Sequence, residues 1–135
     1  MLVYSAPDQI GPFGLGKPLR SMPTEFEAVP LQPTASDNRA RTKPYSVLWS
    51  GEEIAILDVR LGLIESVTTF NSFVISGKEM IGEQIEALSL ALGEAPNEET
   101  EVLHEDGSIT IYFDYLDSRI IATTEAKHLA SICIY

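Results

Sequence analysis

Apolar and polar positions along the chain change their period several times. Over residues 109–115, Ile109, Ile111, Phe113 and Tyr115 alternate with Thr110, Tyr112 and Asp114. That is the period of a strand with one buried face and one face open to solvent or a partner. Just upstream, "TEVLHEDG" supplies a preceding strand and an Asp106-Gly107 pair of the kind favoured in tight hairpins. "RIIATTE" and "LASICIY" predict two further strands. The first half shows the same texture in "YSVLWSGEEIAILDV" and "LIESVTTF", with a turn at Ser50-Gly51. Over residues 78–92 the period becomes helical, because Ile81, Ile85, Leu88 and Leu92 fall on one face. Glu79 and Glu83 suit the start of that helix, and Gly93 followed by Pro96 suits its end. "NSFVISG" predicts a short strand ending at Gly77. "SMPTEFEAVPL", bracketed by Pro23 and Pro30, predicts one or two helical turns starting near Pro23.

The hairpin phrases recur. Sliding the chain by fifty-five positions aligns residues 47–69 with 102–124 without a gap, and seven of the twenty-three positions are identical. The identities are Val47/Val102, Leu48/Leu103, Ile54/Ile109, Ile56/Ile111, Leu61/Leu116, Thr68/Thr123 and Thr69/Thr124. A weaker echo links "FGLGKPLRSM" with "FVISGKEMIG". The expectation is an α+β fold in which two related helix-plus-antiparallel-sheet units pack as one domain over residues 1–135, with pseudo-repeat halves at about 11–70 and 71–135. It would hold six to eight antiparallel strands, and a polar loop rich in proline and basic residues, "QPTASDNRARTKP" (32–44), would lengthen the first half.

Composition narrows the functional classes. An apolar content of 44% fits a folded domain despite a net charge of −11. No apolar run approaches the roughly 20 residues needed to cross a bilayer. The first twenty residues lack a basic region followed by an apolar core, so no signal peptide is expected. With Cys133 as the single cysteine, a disulfide scaffold is excluded and a cytoplasmic address is expected. Cys133 itself, within "LASICIY", is expected to be a small buried hydrophobe. The charge is uneven: residues 1–70 carry eight acidic and six basic side chains, net −2, and residues 71–135 carry twelve and three, net −9. Such a surface repels nucleic acid and anionic lipid and attracts basic partners.

Motifs for catalysis or cofactor binding fail on their details. "GPFGLGK" (11–17) has the glycine and lysine spacing of a phosphate-binding loop, but Pro18 stands where Ser or Thr would hold magnesium. His104 and His128 lie too far apart for a metal-ligand pair, and no calcium loop or nucleophile elbow is present. Adjacent pairs such as Glu52/Glu53 and Glu98/Glu99 point to opposite faces of a strand, which suits surface charge better than a shared acid–base site. No enzyme signature, cofactor site or metal site is expected.

What remains is an acidic cluster. Residues 94–117 carry Glu94, Glu98, Glu99, Glu101, Glu105, Asp106, Asp114 and Asp117 with no Lys or Arg among them, and Tyr112, Phe113 and Tyr115 are interleaved. In the repeat alignment Trp49, the only tryptophan, sits opposite His104. Acidic rims around aromatic anchors suit a binder of a basic protein. The candidate partner-binding residues are Trp49, Glu98, Glu99, Glu101, Glu105, Asp106, Tyr112, Asp114 and Asp117.

The succession "GPFGLGKPLRSM", "YSVLWSGEEIAIL", "FVISGKEMIGEQIEALSLALGE" and "TEVLHEDGSITIYF" resembles small acidic immunity proteins of bacterial polymorphic-toxin and contact-dependent inhibition systems. The resemblance implies a cytoplasmic, non-enzymatic protein that binds and neutralises a cognate toxin domain, such as a basic nuclease, made by the same cell. Tandem helix-plus-sheet units also resemble the secreted β-lactamase inhibitor proteins, a role that a missing signal peptide argues against. An acidic secretion chaperone of the type III kind, wrapping an extended client segment as a dimer, is the alternative from another class.

Overall fold

The computed structural model describes residues 1–31 and 42–135. Most of the expected 32–44 loop therefore lies outside the described residues. Three two-residue strands open the chain, β1 (Tyr4–Ser5), β2 (Gln9–Ile10) and β3 (Phe13–Gly14), and a 3₁₀ turn follows at Leu19–Ser21. Then come β4 (Phe26–Pro30), β5 (Lys43–Trp49), β6 (Glu52–Arg60) and β7 (Leu63–Thr69). A small hairpin of β8 (Val74–Ile75) and β9 (Lys78–Glu79) leads into α1 (Ile85–Leu92), the one α-helix among the described residues. The chain closes with β10 (Glu98–Leu103), β11 (Ile109–Tyr115), β12 (Ile120–Glu125) and β13 (His128–Ile134).

Eight of these strands form one antiparallel sheet in the order β10-β11-β12-β13-β7-β6-β5-β4. It consists of two meanders, β4–β7 and β10–β13, that meet where β13 pairs with β7. The turns follow from local chemistry. Ser50-Gly51 joins β5 to β6 with both residues at positive φ, the backbone twist that matches a two-residue hairpin, and Gly51 meets that demand without strain. Ala126-Lys127 joins β12 to β13 in the same way with no glycine at either place.

One face of the sheet is covered. Phe13 from the N-terminal strands, Phe73 and Met80 from the β8–β9 region and Leu88 from α1 join Leu57, Ile120 and Ile132 of the sheet in one buried cluster. The other face is lined by the alternate residues of each strand. Among the described residues no element lies over it.

These findings correct the expected fold class. Among the described residues 53% are in strands and only 9% are helical, so the protein is mostly β and is not a pair of helix-plus-sheet units. Only the second meander is preceded by an α-helix. The segment "SMPTEFEAVPL" is not helical: the Phe26 amide closes a turn on the Pro23 carbonyl (3.1 Å), and residues 26–30 then pair with β5. The predicted 78–92 helix begins only at Ile85. The Ser76-Gly77 turn folds residues 78–79 back onto β8, and Gly82 at φ +92° breaks the helical path. Glu79 is spent locally, accepting hydrogen bonds from the Phe73 and Ile81 amides. A slide of fifty-five positions places β5, β6 and β7 on β10, β11 and β12, whereas counting outward from the β7–β13 seam matches them with β11, β12 and β13.

Candidate partner-binding surface

The acidic hairpin forms because its loop residues satisfy their own backbone. The His104 amide donates to the Ser108 carbonyl (2.8 Å) and the Gly107 amide to the His104 carbonyl (3.0 Å). Gly107, at φ +88°, takes the left-handed place that closes such a three-residue loop. Asp106 accepts hydrogen bonds from the Ser108 hydroxyl (2.6 Å) and the Ser108 amide (2.9 Å). Those bonds hold its carboxyl below the usual carboxylate range, so the turn stays charged at neutral pH. His104 shares a 2.7 Å hydrogen bond between Nε2 and the Thr110 hydroxyl.

β10 is an edge strand, and all six of its residues are exposed. Its register pairs Glu98 with Asp114, Thr100 with Tyr112 and Val102 with Thr110, so Glu98, Tyr112 and Asp114 share the uncovered face. Glu99 and Glu101 point to the opposite face, across from Phe113 and Ile111. Glu105 and Asp106 occupy the hairpin loop. Among the described residues the two ion pairs are Arg60–Glu65 and Lys78–Glu83, and neither draws on residues 94–117.

Two predicted site residues lie elsewhere. Asp117 sits at the other end of the hairpin, in the β11–β12 connection. There the Glu94 carboxylate accepts from the amides of Asp117 (3.1 Å) and Ser118 (3.0 Å), which gives Glu94 a structural role. Trp49 is half exposed at the end of β5, paired with Phe26 and Glu52. β5 is six strand spacings from β10, roughly 29 Å along the sheet at ~4.8 Å per spacing. The only tryptophan and the acidic hairpin therefore do not form one continuous patch.

The uncovered face has a second feature that sequence reasoning missed. A cavity of about 420 Å³ lies over the seam between the meanders, lined by Thr68, Thr123, Ser131 and Cys133 together with His104 and Tyr112. Thr68 pairs with Cys133 across the seam, and Thr123 is hydrogen-bonded to Ser131. Burial pushes the Cys133 thiol up. Cys133 is thus only partly buried and belongs to the polar face, not to the apolar core that its sequence context predicted. The only signal available for this cavity was the alternation of Thr and Ser with Ile in the strand-forming segments.

Other expected roles can be placed directly. In "GPFGLGK" the amides of Gly16 and Lys17 donate to the carbonyls of Ile64 (2.8 Å) and Gly14 (3.3 Å), so the loop's donors secure the N-terminal segment locally and against β7. Among the described residues no three His, Cys, Asp or Glu side chains converge as a metal site would require. No helix among them is long and apolar enough to cross a membrane. Comparison with protein-family models, characterised proteins and solved structures finds no match to this chain.

Proposed function

We propose that this protein is a binding module that captures a basic protein through its acidic β10–β11 hairpin, acting as an immunity protein that neutralises a toxin domain made by the same cell. The observation that carries this reading is the fully exposed strand β10, whose three glutamates run into the Glu105 and Asp106 loop with no Lys or Arg in residues 94–117. A concentration of one sign of charge at a sheet edge raises the encounter rate with a partner of opposite sign. Glu98, Tyr112 and Asp114 add an aromatic contact and two carboxylates on the adjoining open face. Neutralisation would come from occupying a cationic groove that the toxin uses for its own substrate.

The test is co-expression with the product of the neighbouring reading frame, followed by stopped-flow association at increasing salt. An association rate near 10⁸ M⁻¹s⁻¹ at low salt that falls at least tenfold by about 0.5 M salt supports the reading. A rate independent of salt would remove the acidic hairpin from the mechanism.

A further inference from the structure

The large sheet has two edges, and they are not equivalent. At the β4 edge, the Leu31 amide donates to the Pro44 carbonyl, so alternate residues 26, 28 and 30 turn their backbone groups outward. Of these, Phe26 has its N–H committed to the Pro23 carbonyl and Pro30 has no N–H, which leaves Ala28 alone as an outward donor. At the β10 edge, the His104-to-Ser108 bond fixes the opposite parity, so Glu99, Glu101 and Leu103 turn theirs outward. No proline interrupts β10. Among the described residues, nothing else bonds those three amides or carbonyls.

An open edge of this kind is a template for another strand. A second copy of β10 is a poor occupant, because the antiparallel registers that best overlap the two edges set Glu101 against its own copy or Glu99 against Glu101. We infer that the partner docks by adding an extended basic strand of about six residues to β10, an inference that rests on the proposed capture of a basic protein. Chemistry along the edge specifies the guest. Side chains opposite Glu98, Glu99 and Glu101 are Lys or Arg, and the one opposite Thr100 is small and polar. Those opposite Val102 and Leu103 are apolar, since both are exposed and Leu103 lies beside the exposed Ile109. Read from its own N-terminus, an antiparallel guest runs apolar, apolar, basic, polar, basic, basic. Backbone hydrogen bonds to Glu99, Glu101 and Leu103 hold it, and the charges set its register.

The probe is a linear, end-capped peptide Val-Val-Lys-Thr-Lys-Lys, whose second, fourth and sixth amides face solvent when it pairs with β10, titrated into the ¹⁵N-labelled full chain at low salt. Two versions of equal charge carry backbone N-methyl groups, one at the first, third and fifth positions that face β10, the other at the second, fourth and sixth. Strand addition predicts that the parent and second version bind, that the first binds at least tenfold more weakly, and that binding slows amide exchange at Glu99, Glu101 and Leu103 at least tenfold. Equal binding of the two methylated peptides would overturn strand addition and leave charge-driven capture standing. Failure of every peptide to shift any residue of 94–117 would overturn both.

Discussion

Tyr115 is buried in the covered face of β11, and its hydroxyl lies 2.7 Å from the Ser89 hydroxyl on α1. This contact ties α1 to the strand whose opposite face carries Tyr112 and Asp114. Burial pushes the Tyr115 phenol up, so it remains neutral and able to donate at physiological pH. Tyr115→Phe removes the bond and leaves Ser89, which is only partly buried and able to meet water, at a cost of about 0.5–1.5 kcal/mol. Ser89→Ala leaves a buried phenol without a partner, costing about 1–3 kcal/mol, against a gain of roughly 0.5 kcal/mol from alanine's helix propensity. The double variant leaves neither group stranded, so its loss should fall short of the sum of the single losses by about 1 kcal/mol. The propensity term appears in both alanine backgrounds and cancels from this difference. Urea titration of the four proteins measures it. In melting temperature a 1 kcal/mol coupling is worth about 3–5 °C for a chain of this size. Additive losses, with coupling under about 0.3 kcal/mol, would show that the contact does not hold α1 to the sheet.

Two further outcomes follow from the turns and the seam. Lys127 sits at φ +67° in the two-residue β12–β13 turn, where a side chain costs about 1–2 kcal/mol. Lys127→Gly should therefore stabilise the protein by about 0.5–1 kcal/mol in denaturant melts after glycine's added chain entropy is counted, and a loss of stability would contradict the turn geometry. Burial raises the Cys133 thiol pKa, so its thiolate is scarce at pH 7–8. Alkylation of the native protein should run at least tenfold slower than that of the unfolded chain, accelerating only above the ordinary thiol range. Equal rates at pH 7.5 would place Cys133 outside the seam.

Much of the local structure was legible. Alternation located most strands of the large sheet, and the spacing of Ile81, Ile85, Leu88 and Leu92 located α1, with Leu88 fully buried. The helix start was hidden because Glu79 and Glu83 look like favourable first-turn residues. In the folded chain Glu79 instead binds the Phe73 amide across a hairpin that forms only when Ser76 accepts positive φ. The repeat admits two strand registers for a related reason. Strand residues alternate in the same way in every hairpin, so a shift by one strand and turn keeps apolar positions in phase. The second register is counted from the β7–β13 pairing, which joins residues more than sixty apart. The acidic run was legible as a count. Its division between two faces of β10 was legible for Glu98 and Glu99 as strand alternation, but the distance to Trp49 follows from strand order, which composition does not encode. Thr68 and Cys133 were invisible as neighbours for the same reason.

The polarity of the uncovered face bears on how binding can work. Were that face apolar, it would be an unfinished core, and the chain would need its partner in order to fold. Instead Asp58 accepts from the Ser66 hydroxyl at 2.8 Å, Ser46 is bonded to Glu53, and Thr123 to Ser131. These side chains satisfy one another or meet water, while the apolar cluster under α1 is closed on its own. Among the described residues the sheet thus stands without a cover, and β10 is paired to β11 along its whole length. On the proposed reading, binding at that edge would cost the ordering of the guest strand alone, so affinity would rest on the guest's extended propensity and charge and not on folding of the host. A partner that presents its basic strand preformed in a hairpin should therefore bind more tightly than the same strand offered as a flexible tail.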